Sequence, residues 1–290
     1  MAVFMFINLK GGVAKTTNAV AMAECMASAG YRTLLIDADH QCMAGELLLG
    51  ARRQLEVEQR CSTLHDLLAT LLNDEFHAEQ LDAYITRQGS NIAGGLDNLS
   101  VLPCSVRIDD FQTNMAKARR GHKTNREFTR KWGCRKALVR RWLDDNFDFT
   151  IVDCPPSLAA LQVKFFLAVC DAYIVPVIPD RLSVRGAMHL SDRVRKGGYK
   201  IRPLGTLWSL YRKQIEQHRI TVERAAAGEG ASRYLPRPFA TIIPNSTRIA
   251  ESTEPELNPK SFRNKYSHQF AVLYEALMAE IIERLEEPPC

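Results

Sequence analysis

Apolar runs and helix-spaced stretches alternate along the chain. Val3-Phe4-Met5-Phe6-Ile7, Tyr31 to Asp39, Phe147 to Asp153, Ala172 to Pro179 and Leu204 to Tyr211 have largely continuous apolar centres. Such runs predict strands buried on both faces, as in a parallel sheet, whereas strict alternation would predict one wet face. Leu99 to Pro103 predicts a shorter strand and Phe239 to Asn245 a last one. Between them, Thr17 to Ala29 is rich in Ala and Met and stops at Gly30, a residue suited to a helix C-terminus. Further helices are predicted at 184–197 and at about 268–287. In the latter, Phe270, Leu273, Leu277, Ile281 and Leu285 form one apolar stripe. Residues 51–98 carry the weakest pattern, with helical pieces such as Leu64 to Leu72 and a Gly94-Gly95 turn, and 225–232 reads as a mobile surface loop. This order predicts an α/β fold: a single domain over 1–290, doubly wound, with a mostly parallel sheet of about seven or eight strands flanked by helices.

Composition changes this picture little. The 290 residues are 46% apolar and 24% charged, as expected of a water-soluble domain with a sizeable core. A net charge of +5 and a pI near 8.8 are only mildly basic, so any nucleic-acid contact depends on where the charge lies. No run reaches the ~18 apolar residues of a membrane span. The first strand begins almost at Met1, which leaves no room for a secretory pattern, and a cytoplasmic protein is expected. Eight cysteines include no C-x-x-C pair, so free buried thiols are expected rather than a zinc or dithiol site.

Candidate chemistry sits at three strand ends. Lys10-Gly11-Gly12-Val13-Ala14-Lys15-Thr16-Thr17 follows the first strand and opens the first helix. Glycines there let backbone N–H groups approach phosphate oxygens, and the helix N-terminus adds positive partial charge. Lys15 is placed to neutralise β/γ-phosphates and the Thr16 hydroxyl to ligate Mg²⁺. Ala14 stands where the general P-loop template has its second glycine, and an alanine serves there if its φ is negative. The second strand ends in Asp37-Ala38-Asp39, followed by His40, which either fills a turn or serves a pH-sensitive or metal role. The strand at 147–153 ends in Asp153, an acidic residue placed like a carboxylate that holds Mg²⁺ through water. Pro155 and Pro156 then force a sharp turn.

Charge is concentrated between Lys117 and Arg141, where eleven lysines and arginines face only Glu127. The second half of this run, with Trp132, Leu138, Val139 and Trp142, predicts a helix with one buried face, within a basic helical segment at about 115–142. The run is either a solvated helix face, a phosphate-backbone contact or an anionic-membrane contact. The C-terminal helix carries Glu275, Glu280, Glu283, Glu286 and Glu287 on its polar face, with Arg284 as the sole base, which disfavours a membrane-surface role.

At Lys10 to Thr17 the chain resembles the deviant Walker A ATPases, the group of the partition ATPase ParA/Soj and the division-site ATPase MinD, whose loop reads K-G-G-x-x-K-T-T. Asp37 to Gln41 is similar to the family's D-x-D-P-Q, with His40 in place of proline, and Asp153 to Ser157 to its D-x-P-P-S. Four motif blocks match in order from residue 3 to about 250. The resemblance implies an ATP hydrolase with a cofactor site at Gly11, Gly12, Val13, Ala14, Lys15, Thr16 and Thr17. Pro244 of the Ile-Pro turn would border adenine. Lys10, Lys15 and Asp39 would be catalytic, with Asp39 positioning water, and Thr16, Asp37 and Asp153 would serve Mg²⁺. Lys10 would reach the phosphates of a second copy, making a homodimer on ATP binding. Trp208 and Ser209 stand where the family often has the asparagine that reads adenine. Basic residues at Arg195, Arg212 and Lys213, together with Arg130 and Lys131 of the basic run, are the candidates for non-specific DNA. The implied partners are a ParB-like or cargo adaptor protein and the nucleoid, with no stable membrane association. A MinD-like membrane-recruited regulator, a metabolic or metal-cluster ATPase and a nucleotide-driven scaffold without DNA are the alternatives.

Overall fold

Seven strands form one sheet in the computed structural model, which describes residues 1–73, 76–252 and 258–288. They are β1 (Ala2–Phe6), β2 (Thr33–Asp37), β3 (Thr86–Gly89), β4 (Leu96–Leu102), β5 (Phe149–Asp153), β6 (Ala172–Val177) and β7 (Arg202–Trp208), in the order β3-β4-β2-β5-β1-β6-β7. All neighbours are parallel except β3, which pairs antiparallel with β4 at one edge. The helices are α1 (Lys15–Ser28), α2 (Met43–Gln59), α3 (Leu64–Thr70), α4 (Phe111–Gly121), α5 (Asn125–Asn146), α6 (Leu161–Leu167), α7 (Arg181–Lys196), α8 (Glu216–Ala226), α9 (Thr247–Glu251) and α10 (Phe262–Glu286).

The continuous apolar runs are explained by burial on both faces. Phe4 and Phe6 of β1 point into one apolar layer with α1 and α10, while Val3, Met5 and Ile7 point into the other with α3 to α7. The sheet register then aligns three strand ends. Phe6 of β1 lies opposite Asp153 of β5, and Asp153 lies opposite Asp37 of β2. The loops that follow these ends therefore open together at the carboxyl end of the sheet, where ligand crevices of doubly wound folds form.

Several expectations change. Phe239 to Asn245 makes only isolated bridges, Thr206 with Pro238 and Tyr211 with Pro244, so it is not a strand. Pro238 and Pro244 cannot donate to a ladder. Residues 225–232 hold the end of α8 and the start of a 3-10 turn, Gly230–Tyr234, rather than an open loop. Leu138 is exposed, leaving Val139 and Leu143 as the buried positions of α5. Cys61 and Cys134 are exposed free thiols; five other cysteines are free and buried, and Cys290 lies outside the described residues. The C-terminal helix is interrupted at Ser267, with φ +62°, so the predicted start at 268 marks the second of two helical pieces.

Arg284 does not share the acidic outer face of α10. It is buried, donating to the carbonyls of Leu204, Arg237 and Pro238, and its guanidinium lies 4.1 Å from the Phe239 ring centroid. α10 is tied to α1 by a buried cluster. The Glu24 carboxylate accepts from Lys265 Nζ and Tyr266 Oη, each at 2.7 Å, and from Ser90 Oγ. Charges so enclosed hold the C-terminal helix in one register, because either partner alone would be left unpaired.

Candidate nucleotide site

The turn after β1 is held from below by Asn8. Its Nδ2 donates to the Pro176 carbonyl at 2.7 Å, and its Oδ1 accepts from Lys10 N at 3.0 Å. Gly12 has φ +69°, and a Cβ placed on Gly11 or Gly12 would meet nothing within 4 Å. The loop backbone thus faces open space. α1 begins directly behind it, with no side chain capping its first turn, so its N–H groups face the same space. Ala14 has φ +61°, in the left-handed region, so the condition of a negative φ is not met. For a residue with a Cβ this conformation costs about 1–2 kcal/mol. Ala14→Gly should therefore stabilise the protein by about 0.5–1 kcal/mol after glycine's larger unfolded-state entropy is subtracted, read as a raised urea midpoint.

Lys15 is buried. Its Nζ donates to the Lys10 carbonyl at 3.2 Å, folding back across the loop. Burial lowers its pKa, opposed by the charges of Asp153 and Asp39. Thr16 Oγ1 donates to Asp153 Oδ2 at 2.6 Å. The other oxygen, Asp153 Oδ1, is buried and has no hydrogen-bond partner. Asp37 is also buried; its oxygens accept from Asp39 N at 3.0 Å and Gly45 N at 2.9 Å. Burial pushes Asp37 up to about 7, and burial with the neighbouring Asp37 charge raises Asp153 well above the usual carboxylate range. An orphaned carboxylate oxygen beside a hydroxyl and a second carboxylate is a donor set suited to a hard divalent cation with water and phosphate completing its shell. No group of three or more His, Cys, Asp or Glu that could hold a metal occurs among the described residues.

The raised Asp37 pKa carries a pH signature. The native state keeps a proton that the unfolded chain releases near pH 4, so this group's contribution to stability falls as pH rises from about 4 to 7 and is flat above. In urea titrations without nucleotide, Asp37→Asn should remove a negative slope of up to about 1.4 kcal/mol per pH unit in that window. An unchanged slope would show that Asp37 is ionised throughout.

Asp39 lies at the rim. Its Oδ1 accepts from Gln41 N at 3.1 Å, and His40 Nδ1 is 3.4 Å away. His40 therefore has a carboxylate partner, which its place in a turn did not show. Gln162 of α6 donates to the Ala38 carbonyl at 3.3 Å, connecting the segment after Pro155-Pro156 to the two aspartates.

Lys10 is engaged within its own chain. Its Nζ donates to Ser183 Oγ at 2.6 Å and to Asp180 Oδ2 at 3.1 Å. Asp180 caps α7 by accepting from Ser183 N. Burial works against the Asp180 carboxylate, but hydrogen bonds from Ser183 and Lys10 outweigh it and hold its pKa below the ordinary value. Asp180 and Ser183 were missed as site residues, although Asp-x-x-Ser before a helical run is a readable cap signal. Asn18 was also missed: on α1 it bonds Ser209 Oγ at 3.0 Å and Tyr274 Oη at 3.1 Å, bringing the end of β7 to the first turn of α1. Trp208 is buried in the core, and Pro244 pairs with Tyr211 just beyond β7.

The DNA candidates are not gathered into one surface. Arg195 belongs to the last turn of α7, ahead of β7, and pairs with Asp192 at 2.9 Å. Arg212 and Lys213 follow the other end of β7, a seven-residue strand spanning about 20 Å. With the Asn245 amide turned so that its oxygen faces Arg212, that guanidinium donates at 2.8 and 2.9 Å. Arg130 is exposed on α5, and Lys131 pairs with Glu127 at 3.5 Å.

A glycine turn between a central strand and a helix, with lysine, hydroxyl and strand-end carboxylate converging on it, defines a P-loop nucleotide-binding fold. A family model described as AAA domain matches residues 1–202, and the chain belongs to that family. It is 26% identical over 258 residues to the chromosome partitioning protein ParA of Caulobacter vibrioides, covering 87% of this chain and 84% of that protein. In structure it is similar to a cobyrinic acid a,c-diamide synthase from Mycobacterium smegmatis solved with an ATP analogue and magnesium, with TM-score 0.67, 22% identity and coverage of 99% and 96% of the two chains. A plasmid partition protein from Borrelia burgdorferi gives TM-score 0.66 at 16% identity, with 98% of each chain covered.

Proposed function

We propose that the protein is a partition or positioning ATPase that dimerises on ATP, binds DNA without sequence preference, and spaces or segregates a cargo through an adaptor that stimulates hydrolysis. One observation carries the nucleotide part. β1, β2 and β5 end together, so Thr16 meets Asp153 while Asp153 Oδ1 is left without a partner beneath an open glycine turn. In this reading the chain acts as a single ATPase domain. Lys15 and the backbone from Gly11 to Thr17 hold the phosphates, and Pro244 borders the base. Thr16 and Asp153 would hold Mg²⁺, with Asp37 behind them, and the ion when bound would supply neutralisation of phosphate charge. Asp39 orients water at the rim, and hydrolysis by the protein alone would be slow. Lys10 leaves Asp180 to reach the partner copy's phosphates.

Similarity to ParA supports the partition role; the fold alone does not choose it, since a synthase has the same architecture. The protein would be cytoplasmic and nucleoid-associated. The outer face of α10 is acidic, so a MinD-like membrane role has less support. No described helix is long and apolar enough to cross a membrane.

The test is a DNA-binding titration of an Asp39→Ala variant with ATP, ADP and no nucleotide, beside sizing by light scattering. ATP should give a dimer and DNA binding together, and Asp39→Ala should lower hydrolysis at least about 100-fold while preserving both. A monomer with ATP that hydrolyses normally without Asp39 would remove the proposal.

A further inference from the structure

Charge in this protein is segregated. Between residues 111 and 146 lie eleven lysines and arginines and three acids, Glu127, Asp144 and Asp145, leaving 27 cations against 30 acids elsewhere. The mild net charge of +5 therefore conceals a strongly basic element on an acidic body. That element is the helical hairpin of α4 and α5, inserted between β4 and β5.

The hairpin is built as a rigid platform. Trp132 packs against Phe111, Phe128 and Phe165, with ring centroids 6.2, 6.5 and 5.5 Å apart, and Val139 and Leu143 bury the lower part of α5. At the tip, Thr124 caps α5 by accepting from Glu127 N, and Arg119 Nε donates to Asn125 Oδ1 at 2.8 Å, joining the two helices across their turn. Cations near the base serve the fold. Arg135 donates to the carbonyls of Phe76 and Asn73, Arg140 pairs with Asp144 and Asp171, and Arg141 faces Asp145.

Five others do not. Lys117, Arg120, Lys123, Arg126 and Arg130 are exposed and make no salt bridge among the described residues. They cluster in the last turns of α4, the connecting turn and the first two turns of α5. Arg126 stands in the first turn of α5, where the helix dipole disfavours a cation, so an anion brought there relieves a standing repulsion. Arg126 and Arg130 are one turn apart, a rise of about 6 Å, comparable with the separation of successive phosphates along a nucleic-acid strand.

We infer that the tip of the α4–α5 hairpin is the protein's duplex-DNA contact, binding phosphates through Lys117, Arg120, Lys123, Arg126 and Arg130. This rests on the DNA-binding reading above and moves its main surface away from Arg195, Arg212 and Lys213. Arginines and lysines on a convex tip reach backbone phosphates and not base edges, so binding is independent of sequence. A membrane is the weaker occupant. The exposed large apolar residue of this hairpin is Leu138, near its base, and the tip offers no apolar anchor to a bilayer.

The experiment compares the full-length protein with Lys123→Gln/Arg126→Gln/Arg130→Gln and with Arg212→Gln/Lys213→Gln, each with ATP and Mg²⁺. A fluorescent 30-base-pair duplex of arbitrary sequence is titrated across salt concentrations. The triple variant should keep basal ATP turnover, weaken DNA binding at least about 10-fold at low salt, and reduce the salt slope by about 2.7, close to 0.9 per lost phosphate contact. The double variant should retain most of the affinity. If the wild-type protein binds no DNA with ATP, the DNA reading itself falls. If it binds and the triple variant matches it in affinity and slope, the hairpin assignment alone falls. Flotation of the wild type, but not the triple variant, with phosphatidylglycerol vesicles, without DNA binding, would overturn the assignment in favour of a membrane.

Discussion

Lys15→Ala is expected to weaken ATP binding by at least about 100-fold, the loss of roughly 3 kcal/mol that follows removal of a buried, charge-assisted contact. The size of the effect comes from the setting of the ammonium. Lys15 is almost wholly enclosed, and burial already disfavours its charged form. Asp153 and Asp39 are the charges that hold it ionised, and its Nζ spans the loop to the Lys10 carbonyl. Bound phosphates would add the negative charge that this desolvated ammonium lacks. Isothermal titration with ATP and Mg²⁺ reads the loss. A urea melt run beside it separates lost binding from lost folding, because the buried Asp153 and the rim Asp39 lose a neighbouring cation in the same substitution. Unchanged ATP affinity in a folded variant would remove Lys15 from the site.

Lys10 and Asp180 should give opposite results. Lys10→Ala is expected to abolish ATP-dependent dimerisation, and Asp180→Asn to strengthen it about 5- to 10-fold. The reason is competition for one ammonium. Lys10 Nζ is bound to Asp180 and Ser183 of its own chain, in a half-exposed setting where such a pair is worth about 1 kcal/mol. If the partner's phosphates need this ammonium, dimerisation must first break the internal pair, and weakening that pair removes part of the cost. The asparagine can still cap α7, so the helix is preserved. Analytical ultracentrifugation with ATP distinguishes the outcomes. Equal dimerisation by wild type, Lys10→Ala and Asp180→Asn would refute a shared nucleotide site.

The motifs were legible because each is local. A continuous apolar run, a glycine turn and a lysine followed by a hydroxyl lie within one strand-loop-helix unit, so Lys10 to Thr17 could be read without knowing any contact. The same holds for Asp37, Asp39 and Asp153, each at the end of a run that predicts a buried strand. Misreadings arose where local pattern and tertiary demand diverge. The apolar stretch from Phe239 to Asn245 reads as a strand, yet Pro238 before it and Pro244 within it leave only isolated bridges beside β7. Leu138 fitted an apolar helix stripe but faces solvent, because the packing of α5 selects Val139 and Leu143. Ala14 takes a left-handed conformation that an alanine's sequence context does not announce.

By itself, the sequence determined the α/β class, the phosphate-binding turn and the acidic strand ends, since backbone propensity, periodicity and residue chemistry act over short range. Only the tertiary structure decided which ends meet. Parallel register sets Asp37 opposite Asp153, 116 positions away in sequence, and brings Thr16 onto that carboxylate. It also placed Lys10 against Asp180 and divided the basic run into cations that hold the hairpin and cations that face solvent. Electrostatic partners and burial depend on which distant segments pack together, and that is set by the sheet order, not by spacing along the chain.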